Sequence, residues 1–118
     1  MGPRIQYLYT LFDEFNKAEF DNKLLTIPIL IQRNNRIDGY YEYKHHHKTQ
    51  TPVRDRLGSA EIVISEHCFE DDDLVQGTLL HEMIHQYQAE ILDMPTDHGR
   101  IFNEFAERME RKYDFDVK

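Results

Sequence analysis

The sequence predicts an α+β fold with an N-terminal helix, a mainly antiparallel three-stranded sheet and two further long helices. Three observations support this. Apolar residues recur at helical spacing near both ends of the chain, short β-branched or aromatic segments lie between them, and turn-forming residues separate these segments. The 118 residues fit a single domain spanning 1–118, and with 40% apolar residues they can form a modest core.

The first half of the chain reads as one helix followed by two strands. A helix is predicted from Pro3 to about Phe20, because apolar residues recur there every three or four positions and proline suits a first turn. Segment 26–33, TIPILIQR, is short and rich in β-branched residues, which favours a strand. The tyrosine-rich segment 40–45, YYEYKH, reads as the second strand.

The second half reads as one strand and two helices. Segment 58–65, GSAEIVIS, predicts the third strand. The acidic run 70–73 suits the start of a helix, where free N–H groups carry partial positive charge, and this helix continues to about Leu92, before Pro95. A last helix is predicted for 98–113, with its apolar residues on one face.

Composition excludes several classes of protein. No run of 18 apolar residues exists, so no membrane span is predicted, and the charged N-terminus does not resemble a signal peptide. The single cysteine, Cys68, excludes an internal disulfide and a cysteine-based zinc ribbon within these residues. We therefore expect a cytoplasmic protein without a C-terminal zinc ribbon, in which Cys68 is a small buried apolar residue.

Charge is unevenly distributed along the chain. The net charge is −8, but segment 33–56 contains six basic and three acidic residues, so it carries +3 and the rest carries −11. The same segment contains His45–His47. A chain this acidic does not bind nucleic acid through bulk charge. We expect weak nucleic-acid contact through 33–56 or none.

The motif that carries chemistry lies in segment 78–87, TLLHEMIHQY, within the predicted second helix. His81 and His85 are four residues apart, so they share one helix face and lie about 6 Å apart along the axis. Two imidazoles so placed can bind one zinc ion. Glu82, next to His81, can act as the general base in such a His-Glu-x-x-His motif.

A catalytic zinc ion takes three protein ligands and a water, so a third ligand must come from elsewhere. The candidates are His98, the histidines at 45–47, His67 and the downstream carboxylates. His98 is best placed, because the chain reverses after about Leu92 and Gly99 permits close backbone approach. The other histidines read as solvated surface residues.

With these motifs, the chain resembles the SprT-like family of zinc metalloproteases. The resemblance rests on these stretches: LFDEFN at 11–16 with FDNKL at 20–24, Gly39-Tyr40, AEIVIS at 60–65, TLLHEMIH at 78–85 and DHGRIF at 97–102. It implies a zincin-like minimal metalloprotease fold, with His81, His85 and His98 as zinc ligands and Glu82 as base. Several members of the family carry a zinc ribbon or DNA-binding modules, which have no counterpart in these residues.

The expected activity is that of a zinc metalloendopeptidase acting on protein or peptide substrates, with DNA-associated proteins left open as one class. Zinc activates a water, and Glu82 takes its proton. Four residues are candidates for stabilising the oxyanion: Tyr40, Tyr41, Tyr43 and Tyr87. The alternative is a non-catalytic, zinc-stabilised scaffold or a nucleic-acid-associated factor with the same fold. Cleavage specificity and oligomeric state are not predicted.

Overall fold

The computed structural model describes residues 2–43 and 60–118, and it confirms the α+β class. The elements in chain order are α1 (Pro3–Glu19), β1 (Ile29–Gln32), β2 (Gly39–Tyr43), β3 (Ala60–Ser65), a short 3₁₀ helix (Glu66–Glu70), α2 (Asp72–Glu90) and α3 (Arg100–Tyr113). All three predicted helices are present, with ends within about two residues of those expected. The 3₁₀ helix was not predicted.

The sheet has the strand order β1-β3-β2 and mixes two pairing modes. β2 pairs antiparallel with β3, whereas β1 pairs parallel with β3, Ile29 lying opposite Ile62. The prediction of a mainly antiparallel sheet is therefore wrong for one of the two pairings. The physical reason is burial: β3 is the most apolar strand and is buried on both faces, so it takes the central position between the two others.

Helix α2 is the centre of the molecule. It contacts β2, β3, α1 and α3, and its apolar residues Leu79, Leu80, Met83 and Ile84 are fully buried. Asp71 caps it: the carboxylate accepts a hydrogen bond from the backbone N–H of Asp73 at 2.9 Å. Beyond its first turn, α2 is enclosed on most sides, so several of its polar residues are buried too and need specific partners, among them Glu82, His85, Gln86 and Gln88.

The remaining sequence predictions fall partly within the described residues. Cys68 is a buried free thiol, as expected. In the described residues, no helix combines the length and the apolarity that crossing a bilayer requires. Most of the basic segment 33–56, including His45–His47, lies outside the described residues.

Candidate metal centre

Three histidines converge beside α2. His81 and His85 lie on one face of α2, with ring centroids 4.9 Å apart. His98 comes from the connection between α2 and α3, and its Nε2 lies 3.1 Å from His85 Nε2 and 3.3 Å from His81 Nε2. The structure thus brings together the three residues that the sequence singled out as ligands.

In two of these imidazoles, His81 and His85, the second ring nitrogen, Nδ1, forms a hydrogen bond with an oxygen acceptor. His81 Nδ1 lies 2.8 Å from the carbonyl oxygen of Val117, which can only accept, so Nδ1 carries the hydrogen. His85 Nδ1 lies 2.9 Å from Gln88 Oε1. The amide of Gln88 is oriented by Asp97, because its Nε2 donates to Asp97 Oδ1 at 3.1 Å. In both histidines, therefore, Nε2 keeps a free lone pair.

This donor set fits a metal ion. His98 Nε2 can carry at most one hydrogen and can donate it to only one of its two neighbours, His85 Nε2 or His81 Nε2. In at least one of these two contacts, therefore, two nitrogen lone pairs face each other without a proton between them. A cation removes that repulsion. Nitrogen ligands at 2.0–2.1 Å from a tetrahedral zinc ion lie roughly 3.3 Å from one another, close to the separations of 3.1 and 3.3 Å found here.

The surroundings keep the imidazoles in the form that binds metal. Burial lowers the pKa of both His81 and His85, so both rings are neutral at neutral pH. Phe102 of α3, which is 1% exposed, packs against all three rings. Its centroid lies 4.8 Å from that of His81, 5.0 Å from that of His85 and 4.7 Å from that of His98.

Glu82 is buried beside this cluster. Its side chain is on α2, the residue is 4% exposed, and one carboxylate oxygen lies 4.0 Å from His81 Nε2. Burial raises the pKa of Glu82 to about 8, and a hydrogen bond from the backbone N–H of Tyr41 opposes the rise. His81 and Glu82 both line a cleft of about 420 Å³ between α2, the start of β2 and residues 116–118.

Other candidates lie elsewhere. His67 Nε2 lies 2.8 Å from Asp38 Oδ1 and does not join the histidine cluster, although His67, Asp38 and Cys68 form a second group that could hold a metal ion. The ring of Tyr87 packs against Phe105, with centroids 5.0 Å apart, as a core aromatic does. The histidines at 45–47 are outside the described residues.

Sequence reasoning missed Gln88 and Val117, the partners of the ligand candidates. A signal for Gln88 exists, since it follows His85 by three residues on a helix and so shares its face. Val117 contributes a backbone carbonyl from a segment 36 residues away from His81, and no side-chain pattern marks such a contact.

Comparison with known proteins gives one result. The SprT-like family matches residues 8–118, which is nearly the whole chain and includes all elements of the site. A comparison with curated proteins finds no match. The resemblance seen in the motifs is thereby confirmed, and the chain belongs to the SprT-like family.

Proposed function

We propose that this protein is a zinc-dependent metallopeptidase with a zincin-like fold, in which His81, His85 and His98 hold the metal. The observation that carries the proposal is the convergence of three imidazole Nε2 atoms beside a buried carboxylate at the wall of a cleft. A zinc ion bound there supplies a Lewis acid that activates water and polarises a peptide carbonyl. Membership of the SprT-like family supports this function.

Glu82 is the general base and later the general acid. Its carboxylate accepts a proton from the water that attacks the peptide carbonyl, and it returns the proton to the nitrogen as the C–N bond breaks. Burial raises the pKa of Glu82 to about 8, and a zinc ion held by the three histidines would lower this pKa again, because a nearby positive charge favours the carboxylate, the form that accepts a proton. A purely structural metal site would need ligands but no such group.

The substrate is an extended segment of protein or peptide. In the described part of the sheet, β2 pairs only with β3, and the residue at its start, Gly39, lines the cleft that contains Glu82. An extended chain can hydrogen-bond to the open edge of such a strand, which would lay its backbone across the cleft. We propose that peptide substrates bind in this way, in the cytoplasm.

The test compares the wild type with Glu82→Gln. Purified proteins are analysed for metal content, and cleavage of an unfolded protein is followed with added zinc. We expect one zinc per chain in both proteins and a loss of cleavage on the order of 10²–10⁴-fold in the variant, because an amide cannot accept the proton. Glu104→Gln, the same change at an exposed residue of α3, is the matched control and should cleave normally.

Each alternative has its own outcome. Wild-type cleavage rates in Glu82→Gln would exclude Glu82 as base. Zinc bound at one per chain, without cleavage by the wild type on any unfolded substrate tried, would favour the non-catalytic zinc-stabilised scaffold. Absence of bound zinc after incubation with the metal would overturn the proposal as a whole.

A further inference from the structure

The segment that follows α3 returns to the metal centre. α3 ends at Tyr113, the left-handed conformation of its C-cap Asp114 (φ 60°) redirects the chain, and residues 115–118 then run against α2. We refer to residues 115–118 as the return segment. Val117 is 3% exposed, and its carbonyl oxygen accepts the hydrogen bond from His81 Nδ1 at 2.8 Å. A backbone group of this segment thus orients one ligand candidate.

Glu110 of α3 holds the return segment in place. Its Oε2 accepts hydrogen bonds from the backbone N–H of Val117 at 2.8 Å and from that of Lys118 at 3.1 Å. The Lys118 N–H shares its peptide plane with the Val117 carbonyl, and the Val117 N–H belongs to the preceding plane, so the two bonds hold both planes that flank Val117. Glu107, one turn earlier on α3, reaches the same segment only through the side chain of Lys118, at 3.0 Å.

Gly77 of α2 allows the segment to approach this closely. A Cβ atom at this position would lie 1.9 Å from the carbonyl oxygen of Asp116, so any side chain would push the segment away. Glycine weakens the interior of a helix relative to alanine. Its presence in the middle of α2, one turn before His81, is explained by this contact.

We propose that Glu110 and Gly77 are positioning residues of the metal centre, acting through the return segment on His81. The partner of a ligating imidazole sets its tautomer and the direction of its Nε2 lone pair. With the Val117 carbonyl in place, His81 keeps hydrogen on Nδ1 and directs Nε2 toward His98. Without it, either tautomer and several ring orientations become accessible. The inference rests on the proposed function only in taking His81 as a ligand.

The experiment uses Glu110→Ala and Gly77→Ala, with Glu110→Gln as the conservative variant and Glu107→Ala as the matched control. In each metal-free protein, ¹⁵N–¹H correlation spectra of the imidazoles report the tautomer of each histidine. Zinc affinity is then measured by competition with a chromophoric chelator. His85, which is held by Gln88 rather than by the return segment, is an internal reference in the same spectrum.

We expect Glu110→Ala and Gly77→Ala to lose the Nδ1–H preference of His81 but not of His85, and to bind zinc about tenfold more weakly. Glu110→Gln keeps an acceptor oxygen and should stay near the wild type, as should Glu107→Ala. The proposal is overturned if both alanine variants keep the tautomer and the affinity. It is also overturned if both unfold, since the segment would then be part of the core. A wild type that binds no zinc would refute the proposed function, while the tautomers would still decide whether this segment orients His81.

Discussion

At the scale of single residues, the site is an arrangement that costs stability unless a cation is bound. The Nε2 atom of His98 lies 3.1 and 3.3 Å from those of His85 and His81, and in at least one of these contacts two lone pairs repel each other, while the carboxyl group of Glu82 beside them is removed from water. Each of these features opposes folding of the metal-free chain. Each is reduced when a dication binds, because a nearby positive charge favours both the lone pairs and the carboxylate.

The first prediction concerns the third ligand. His98→Ala should lower zinc affinity by at least about 10²-fold, because it removes one of three coordinating nitrogens. His67→Ala is the matched control: it alters the second candidate group, which contains Asp38 and Cys68, and lies outside the histidine cluster, so the affinity of the cluster should not change. Chelator competition measures both. Equal affinities in His98→Ala and the wild type would assign the third ligand to another group.

The second prediction concerns the pH dependence of stability in the metal-free protein. Burial raises the folded-state pKa of Glu82 to about 8, above an ordinary value of 4.5. The folded state therefore keeps a proton that the unfolded state loses, and stability falls as the pH rises from about 4.5 to about 8, by up to about 1.4 kcal/mol per pH unit. Glu82→Gln removes this dependence.

Urea unfolding in the presence of a chelator, at pH 5, 6.5 and 8, tests the sign. The free energy of unfolding of Glu82→Gln should increase relative to that of the wild type as the pH rises. The difference between the two proteins should be largest at pH 8. If the difference in the free energy of unfolding between the two proteins stays constant at pH 5, 6.5 and 8, Glu82 titrates normally in the folded chain. Added zinc should reduce this difference in the free energy of unfolding, since a bound dication favours the carboxylate.

Local spacing predicted His81, Glu82 and His85, because helix periodicity alone places the two histidines on one face. His98 needed the further observation that the chain reverses after α2. The acceptors behind the rings could not be predicted in the same way. Gln88 was detectable in principle, but the Val117 carbonyl depends on where a distant backbone segment packs, and backbone groups carry no sequence signal.

At the scale of elements, the helices were predictable and the sheet was only partly so. Periodicity and capping residues determine a helix locally, which is why the ends of α2 agree so well with expectation. The local sequence also indicates a strand, but it does not indicate which other strand pairs with it. β3 pairs with β1 across about thirty residues, Ile29 lying opposite Ile62, and only the burial of β3 on both faces indicates its central place.

The third prediction belongs to α3, whose Phe102 supports the three imidazoles. Phe102→Leu should destabilise the protein by about 1–2 kcal/mol, because a smaller side chain leaves part of a buried volume unfilled. It should also weaken zinc binding several-fold, since the rings of His81, His85 and His98 lose the surface that limits their rotation.

Phe105→Leu is the control for that change. Phe105 lies on the same helix and packs against Phe20 and Tyr87, with centroids 5.6 and 5.0 Å away. It should lower stability without changing zinc affinity. Urea unfolding and chelator competition separate the two effects. Equal loss of affinity in both variants would show that α3 acts only through general stability.

At the scale of the whole molecule, the net charge determines whether nucleic acid can approach. The chain carries −8 overall, so its long-range field repels nucleic acid, and only contact within about 10 Å at 0.1 M salt can favour it. Within the described residues, Arg33 at the start of the basic segment is already paired with Glu66, 3.0 Å away. Phosphate would therefore have to compete with Glu66 for this arginine, although an ion pair this exposed to water is weak.

The last prediction is that DNA binds weakly, through segment 33–56, and that its affinity falls with rising salt and rising pH. Each neutralised phosphate adds about −0.9 to the slope of log K against log salt, so a few contacts give a modest slope. Affinity should rise between pH 8 and pH 6, because three adjacent histidines gain charge there. The test variant changes these residues together to Gln: Arg33, Lys44, Lys48 and Arg54. The control makes the same charge change at exposed positions outside the segment: Lys17, Lys23, Arg100 and Arg111.

Binding of a short duplex at low salt should be lost in the first variant and kept in the second. Equal loss in both would mean that only net charge matters, and binding unaffected by either would remove segment 33–56 from consideration. If the wild type binds no DNA even at low salt and pH 6, the −11 carried by the rest of the chain outweighs the local +3. DNA-associated proteins would then have to be reached through the peptide cleft alone, and the edge of β2 beside Glu82 would be the surface that selects substrates.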